Sequence, residues 1–97
     1  MKVNFSQPLK DLEGNTLNNE KGKGVFLNTV CANALIASPE NNKVDGVEKV
    51  KRYELAKKIM GGGDIDVSVE ELALIKELLG TSYGVLVVGQ AYKMLDK

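Results

Sequence analysis

The chain has no histidine and no tryptophan, and Cys31 is its only cysteine. Histidine is the side chain most often used as a general base near neutral pH, and neither Ser/His/Asp nor Cys/His nucleophilic machinery can be assembled without it. One cysteine makes neither an intramolecular disulfide nor a CxxC metal site. Cys31 lies in the apolar stretch Val30-Cys31-Ala32 and reads as a packing residue, because a buried free thiol behaves as a small hydrophobe. An exposed thiol or a bridge to another chain are the alternatives. Long apolar runs are also missing: no stretch approaches the roughly 18 residues that span a bilayer. The opening Met1-Lys2-Val3-Asn4-Phe5 lacks the apolar segment of a signal peptide. The expectation is therefore a cytoplasmic protein with no membrane association, a setting to which the lone thiol also points. Charge of one sign is not in excess, since 13 Lys and Arg balance 13 Asp and Glu. That balance removes the broad attraction behind non-specific nucleic-acid or anionic-membrane binding, so any such binding must be local.

What remains is an ordinary globular composition, 43% hydrophobic and 27% charged, too apolar for a disordered chain and too polar for a membrane protein. At 97 residues it is expected to form a single domain, 1–97, with one modest core. Val3 and Phe5 alternate with polar neighbours, and Asp11-Leu12-Glu13-Gly14 has the residues of a type I turn, which predicts a hairpin over residues 2–18. Residues 18–24 read as a polar loop, and no internal repeat is evident. Leu27, Val30, Ala34 and Leu35 predict a helix over 28–37, ended by Ser38-Pro39. Asp45 with Glu48 opens a helix over 46–60, which Gly61-Gly62-Gly63 stops. Ile65 and Val67 alternate with acids as a short extended segment. Ser68-Val69-Glu70-Glu71 is a full capping box for a helix over 69–79, with Gly80 placed as its C-terminal cap. Val85, Val88, Tyr92 and Leu95 continue at helical spacing over 85–96, where Gly89 would let another helix approach. A strand over Val85–Val88 is the competing reading. The fold class expected is α+β, mostly helical, with an N-terminal β-hairpin packed on four short α-helices.

The motifs that would carry chemistry fail on spacing. A calcium loop ending at Glu71 or Glu70 would place Met60 or Ile65, or Gly61, at positions that need oxygen ligands or the turn glycine. Asp64, Asp66, Glu70 and Glu71 read better as solvated acids at a helix N-terminus. The triple glycine follows a helix and precedes Asp64 and Asp66, the reverse of a phosphate cradle, and Gly22-Lys23-Gly24 is only a fragment of one. No cofactor, metal or catalytic residue is assigned. A helix-turn-helix drawn over 69–96 would present Val85-Leu86-Val87-Val88 to base edges, where polar contacts are needed.

Charge is nevertheless segregated along the chain. Lys49, Lys51, Arg52, Lys57 and Lys58 form a candidate basic patch on one predicted helix, and acids dominate the next segment. The set reads either as a solvated face tied to those acids or as a contact for an acidic protein or nucleic acid. The apolar C-terminal helix gives a candidate interface of Val85, Val88, Tyr92 and Leu95, since a domain this small has few ways to cover all its faces.

Residues 68–91, from Ser68-Val69-Glu70-Glu71 to Tyr83-Gly84-Val85-Leu86-Val87-Val88-Gly89-Gln90-Ala91, and the turn Pro8-Leu9-Lys10-Asp11-Leu12-Glu13-Gly14 resemble segments of small uncharacterised proteins encoded by bacteriophages and prophages. The resemblance carries no catalytic motif. It implies an accessory or assembly role in the cytoplasm of a bacterial host. The function expected is a non-enzymatic protein–protein interaction module whose partner is another protein or a second copy in a homodimer. The alternative is a nucleic-acid-binding regulator using residues 49–58.

Overall fold

The computed structural model describes residues 2–18, 20–37 and 45–96 of the chain. In order they form β1 (Lys2–Asn4), α1 (Leu27–Ile36), α2 (Gly46–Met60), β2 (Asp64–Asp66), α3 (Val69–Ser82) and α4 (Val85–Leu95), a mostly helical α+β fold. The break expected at Ser38-Pro39 lies outside the described residues.

The N-terminal hairpin residues divide between two pairings. The distal part turns where the sequence predicts: the Gly14 N–H donates to the Asp11 carbonyl at 3.1 Å, and Asp11 Oδ1 accepts from the Glu13 and Asn15 N–H groups. The proximal part, β1, takes β2 as its antiparallel partner, with Val3 opposite Ile65. Pro8 has no N–H to continue a ladder, and fully buried Phe5 turns the chain into the core, so β1 ends before it can join the turn.

Residues 8–26 hold a repeat that the sequence reading missed. Pro8-Leu9-Lys10, Thr16-Leu17-Asn18 and Gly24-Val25-Phe26 are extended triplets spaced by eight residues, and each bridges the next: Lys10 with Thr16, Asn18 with Gly24, and Phe26 back to Pro8. Three hydrogen bonds close the ring, from Leu17 N–H to the Leu9 carbonyl, Val25 N–H to Leu17 and Leu9 N–H to Val25, at 2.8–2.9 Å. Gly14 and Gly22, also eight apart, take the left-handed conformation (φ 90° and 77°) that turns each connection. Among the described residues, Asn18, Gly22 and Gly24 thus repeat the places of Lys10, Gly14 and Thr16 in the first turn. Leu9 is buried and Leu17 and Val25 are half-buried, so the ring's middle residues face the core.

This ring leads directly into α1. No side chain caps that helix; the Leu27 and Asn28 N–H groups donate instead to the Gln7 and Phe5 carbonyls at 2.8 and 2.9 Å. Leu27, Val30, Cys31, Ala32, Ala34 and Leu35 are all buried, an arc covering more than half of the helix circumference. Both α2 and α3 pack on α1, and they touch each other little. The α2 start is capped by Asp45, whose carboxylate accepts from the Glu48 N–H at 2.8 Å. Its end is locked by Ser6, whose Oγ accepts from the Gly63 N–H at 2.7 Å, while a Cβ at Gly62 would fall 2.8 Å from that oxygen. The reciprocal Ser68–Glu71 capping box starts α3.

Two glycines differ from expectation. Gly80 does not end a helix: α3 runs through it to Ser82, because its φ is negative and the helix ladder continues. It is also Gly80 that admits a neighbouring helix, since a Cβ there would lie 3.0 Å from Tyr92 Oη. The Tyr92 hydroxyl uses that space to donate to the Lys76 carbonyl at 2.5 Å. Gly89 has nothing within 4 Å of its Cβ position, so it admits no helix. Residues 85–88 are helical, which settles the choice between helix and strand there.

These contacts predict opposite outcomes for two conservative changes. Gly89→Ala is expected to stabilise the fold by about 0.5–1 kcal/mol through helix propensity alone. Gly80→Ala is expected to give no gain or a loss, because the new methyl crowds the Tyr92 hydroxyl. Thermal unfolding of both variants is the check, and an equal gain at Gly80 would contradict the packing described.

Candidate interaction surface

The five basic residues of the candidate patch do not share a face. At 100° per residue, α2 turns Arg52 inward with Leu55, Ala56 and Ile59, and all four are buried. Lys57 stands on the outer side, 5.4 Å from the centre of the Tyr53 ring. Lys49 and Arg52 line a cleft of about 330 Å³ with Leu35, Ile36 and Tyr53. Lys51 and Lys58 flank the other side, and Lys58 is 3.6 Å from Glu71 of α3. Partly exposed, that pair contributes on the order of 0.2–1 kcal/mol. Helical projection from sequence cannot say which side of α2 meets the core, and the inward side took the arginine. Arg52 is 8% exposed, its Nε donates to Glu48 at 3.4 Å, and its Nη1 has no hydrogen-bond partner.

The candidate interface residues also separate. Leu95 is fully buried, Tyr92 is half-buried against α3, Val88 is half-buried, and Val85 is exposed. The gradient follows from the way α4 meets α3: its C-terminal half, with Ala91 and Leu95, supplies the core contact. Lys76 and Asp96 pair at this end. At the other end Gln90 holds the first turn of the octad ring. Its Oε1 accepts from the Lys10 N–H at 2.8 Å and its Nε2 donates to the Lys10 carbonyl at 2.7 Å.

A broad concavity lies where the two charged segments meet. Because α2 and α3 each lean on α1, a groove of about 560 Å³ opens between them. Leu55 and Leu74 form its floor with Val50, whose side is open to solvent. Its walls carry Lys51 and Lys58 against Glu48, Glu54, Glu70 and Glu71, so four carboxylates outnumber two lysines. The helix read as basic contributes two of those acids. Glu71 is engaged by the Ser68 N–H and Lys58, and Glu48 by Arg52, which leaves Glu54 and Glu70 against Lys51 and keeps the open wall net acidic. An apolar floor with an acidic margin can bind an amphipathic, positively charged segment. Sequence reasoning missed it because its residues come from two helices whose separation depends on a third.

No group of three His, Cys, Asp or Glu side chains that could hold a metal ion occurs among the described residues, and none of their helices is long and apolar enough to cross a membrane. Cys31 is fully buried, and desolvation pushes its thiol from 9.0 up to about 12. A raised thiol pKa stabilises the fold fully below the unfolded value, and that contribution is lost as pH climbs from 9.0 toward about 12. Cys31→Ala is therefore expected to flatten the fall in stability over that alkaline range, measured by urea unfolding against pH. An unchanged slope would contradict the buried neutral thiol. No family model matches this chain, and neither a curated protein nor a solved structure matches it significantly.

Proposed function

We propose that this chain is a non-enzymatic protein–protein interaction module that receives an amphipathic helix of a partner protein in the groove between α2 and α3. The apolar floor of Val50, Leu55 and Leu74, exposed chiefly at Val50, under an acidic margin carries this reading. A helix laid there would bury its apolar stripe on those leucines and set Lys or Arg against Glu54 and Glu70. An accessory or assembly role in the cytoplasm of a bacterial host, as the likeness read in residues 68–91 implies, is part of this proposal. A nucleic-acid-binding regulator has less support, because the five basic side chains are spread around α2 and the adjoining groove is acidic.

Selection from a display library of helical peptides tests the proposal. Enriched peptides are expected to carry apolar residues at i, i+3 or i+4 and i+7, flanked by bases. Leu74→Glu is expected to weaken their binding by roughly tenfold or more, and random duplex DNA to bind weakly at physiological salt. Enrichment without helical periodicity, or tight DNA binding that collapses with added salt, would contradict it.

A further inference from the structure

A second apolar groove, of about 380 Å³, lies at the other end of the molecule, where the first octad turn rests on α4. Leu12 at the turn tip is 94% exposed and Val85 beside it is 90% exposed. The floor is Gly89, whose Cβ position has nothing within 4 Å. Knob and hole are held at a fixed spacing by the two hydrogen bonds of Gln90 to the Lys10 backbone.

Nothing in the fold requires leucine at position 12. The second octad turn again has a left-handed glycine at its seventh position and the same flanking bridge, and carries Glu20 at the equivalent site. Leu12 is thus an apolar side chain that the turn does not need, set in water next to an empty groove. Charges are divided in the same way. The turn side carries Lys10 and Asp11, with Glu13 next to Leu12 in the chain, so two acids outweigh one base there, while the α4 side carries Lys93, one helical turn past Gly89. Neither Glu13 nor Lys93 forms an ion pair among the described residues.

We infer that the occupant of this groove is a second copy of the chain, related by a two-fold axis, with Leu12 of each copy seated over Gly89 of the other. A surface that carries both a knob and its hole is self-complementary under two-fold rotation, since residue i meets j and j meets i. The same rotation sets the acid beside each knob against the Lys93 beside each hole, so opposite charges meet twice. Preorganisation by Gln90 lowers the ordering cost of forming the contact. The inference rests on reading the chain as an interaction module, but it uses a face remote from the α2–α3 groove.

Sedimentation of the full chain over a range of concentrations tests it, with circular dichroism as the check on folding. The wild-type chain is expected to show a reversible monomer–dimer equilibrium. Leu12→Glu, which copies the second turn, and Gly89→Leu, which fills the hole, are each expected to weaken association by roughly a hundredfold. Lys93→Glu is expected to weaken it as well, and addition of Glu13→Lys to restore it. Leu74→Glu, in the other groove, is expected to leave dimerisation unchanged. A wild-type chain that stays monomeric into the millimolar range would overturn the inference. So would a dimer indifferent to both Leu12→Glu and Gly89→Leu, or a charge swap that does not restore association. Each of these failures would leave peptide binding in the α2–α3 groove intact, whereas loss of peptide binding alone would count against the proposed function.

Discussion

The structure depends on burying one short helix on most of its sides. The ten residues of α1 supply six buried side chains, and α2 and α3 are placed by access to them, with α4 resting in turn on α3. The octad ring closes over the N-terminus of α1, whose first N–H groups are satisfied by the Gln7 and Phe5 carbonyls just before the ring. Two helices then lean on it from different directions. Small residues at Cys31, Ala32 and Ala34 leave room for that approach, and close packing makes each such contact worth more than its polarity suggests. With α1 as the shared support, α2 and α3 have little reason to pack on each other. The groove between them is a consequence of the core, and its acidic margin is set by which sides of the two helices remain outside.

The parts of this fold that were legible in the sequence are those whose chemistry is contiguous. The Asp45 cap, the Ser68–Glu71 box, the stop at Gly61-Gly62-Gly63 and the Asp11–Gly14 turn each join residues a few positions apart, so spacing alone identifies them. What was not legible depends on distant partners. The pairing of β1 with β2 joins positions some sixty residues apart. The two glycines of α3 and α4 look alike in sequence, and only the position of Tyr92 shows that Gly80 lies at the helix contact while Gly89 faces open space. The octad repeat was present in the spacing of Leu9 with Leu17 and of Gly14 with Gly22, but the residues between them share too little composition to draw the eye.

The same distinction governs the candidate site. A helical wheel places five bases on α2 but cannot tell inside from outside, and the structure sends Arg52 into the core and pairs Lys58 with Glu71. The apolar face assigned to α4 is likewise real as a pattern, yet its C-terminal half belongs to the core and only Val85 stands in water. Balanced charge therefore describes the chain poorly: acids outnumber bases both on the wall of the α2–α3 groove and on the first turn, whereas the α4 side of the second groove carries Lys93.

The central claim is that support from α1 keeps the α2–α3 groove open to water. Methyl-resolved relaxation enhancement by a neutral, soluble paramagnetic probe tests it directly. The account predicts strong broadening at the Val50 and Leu74 methyls and little at Leu35 of α1 and Ile59 of α2, which are buried in the common core. Equal protection of all four would mean that α2 closes on α3 in solution, and would contradict it.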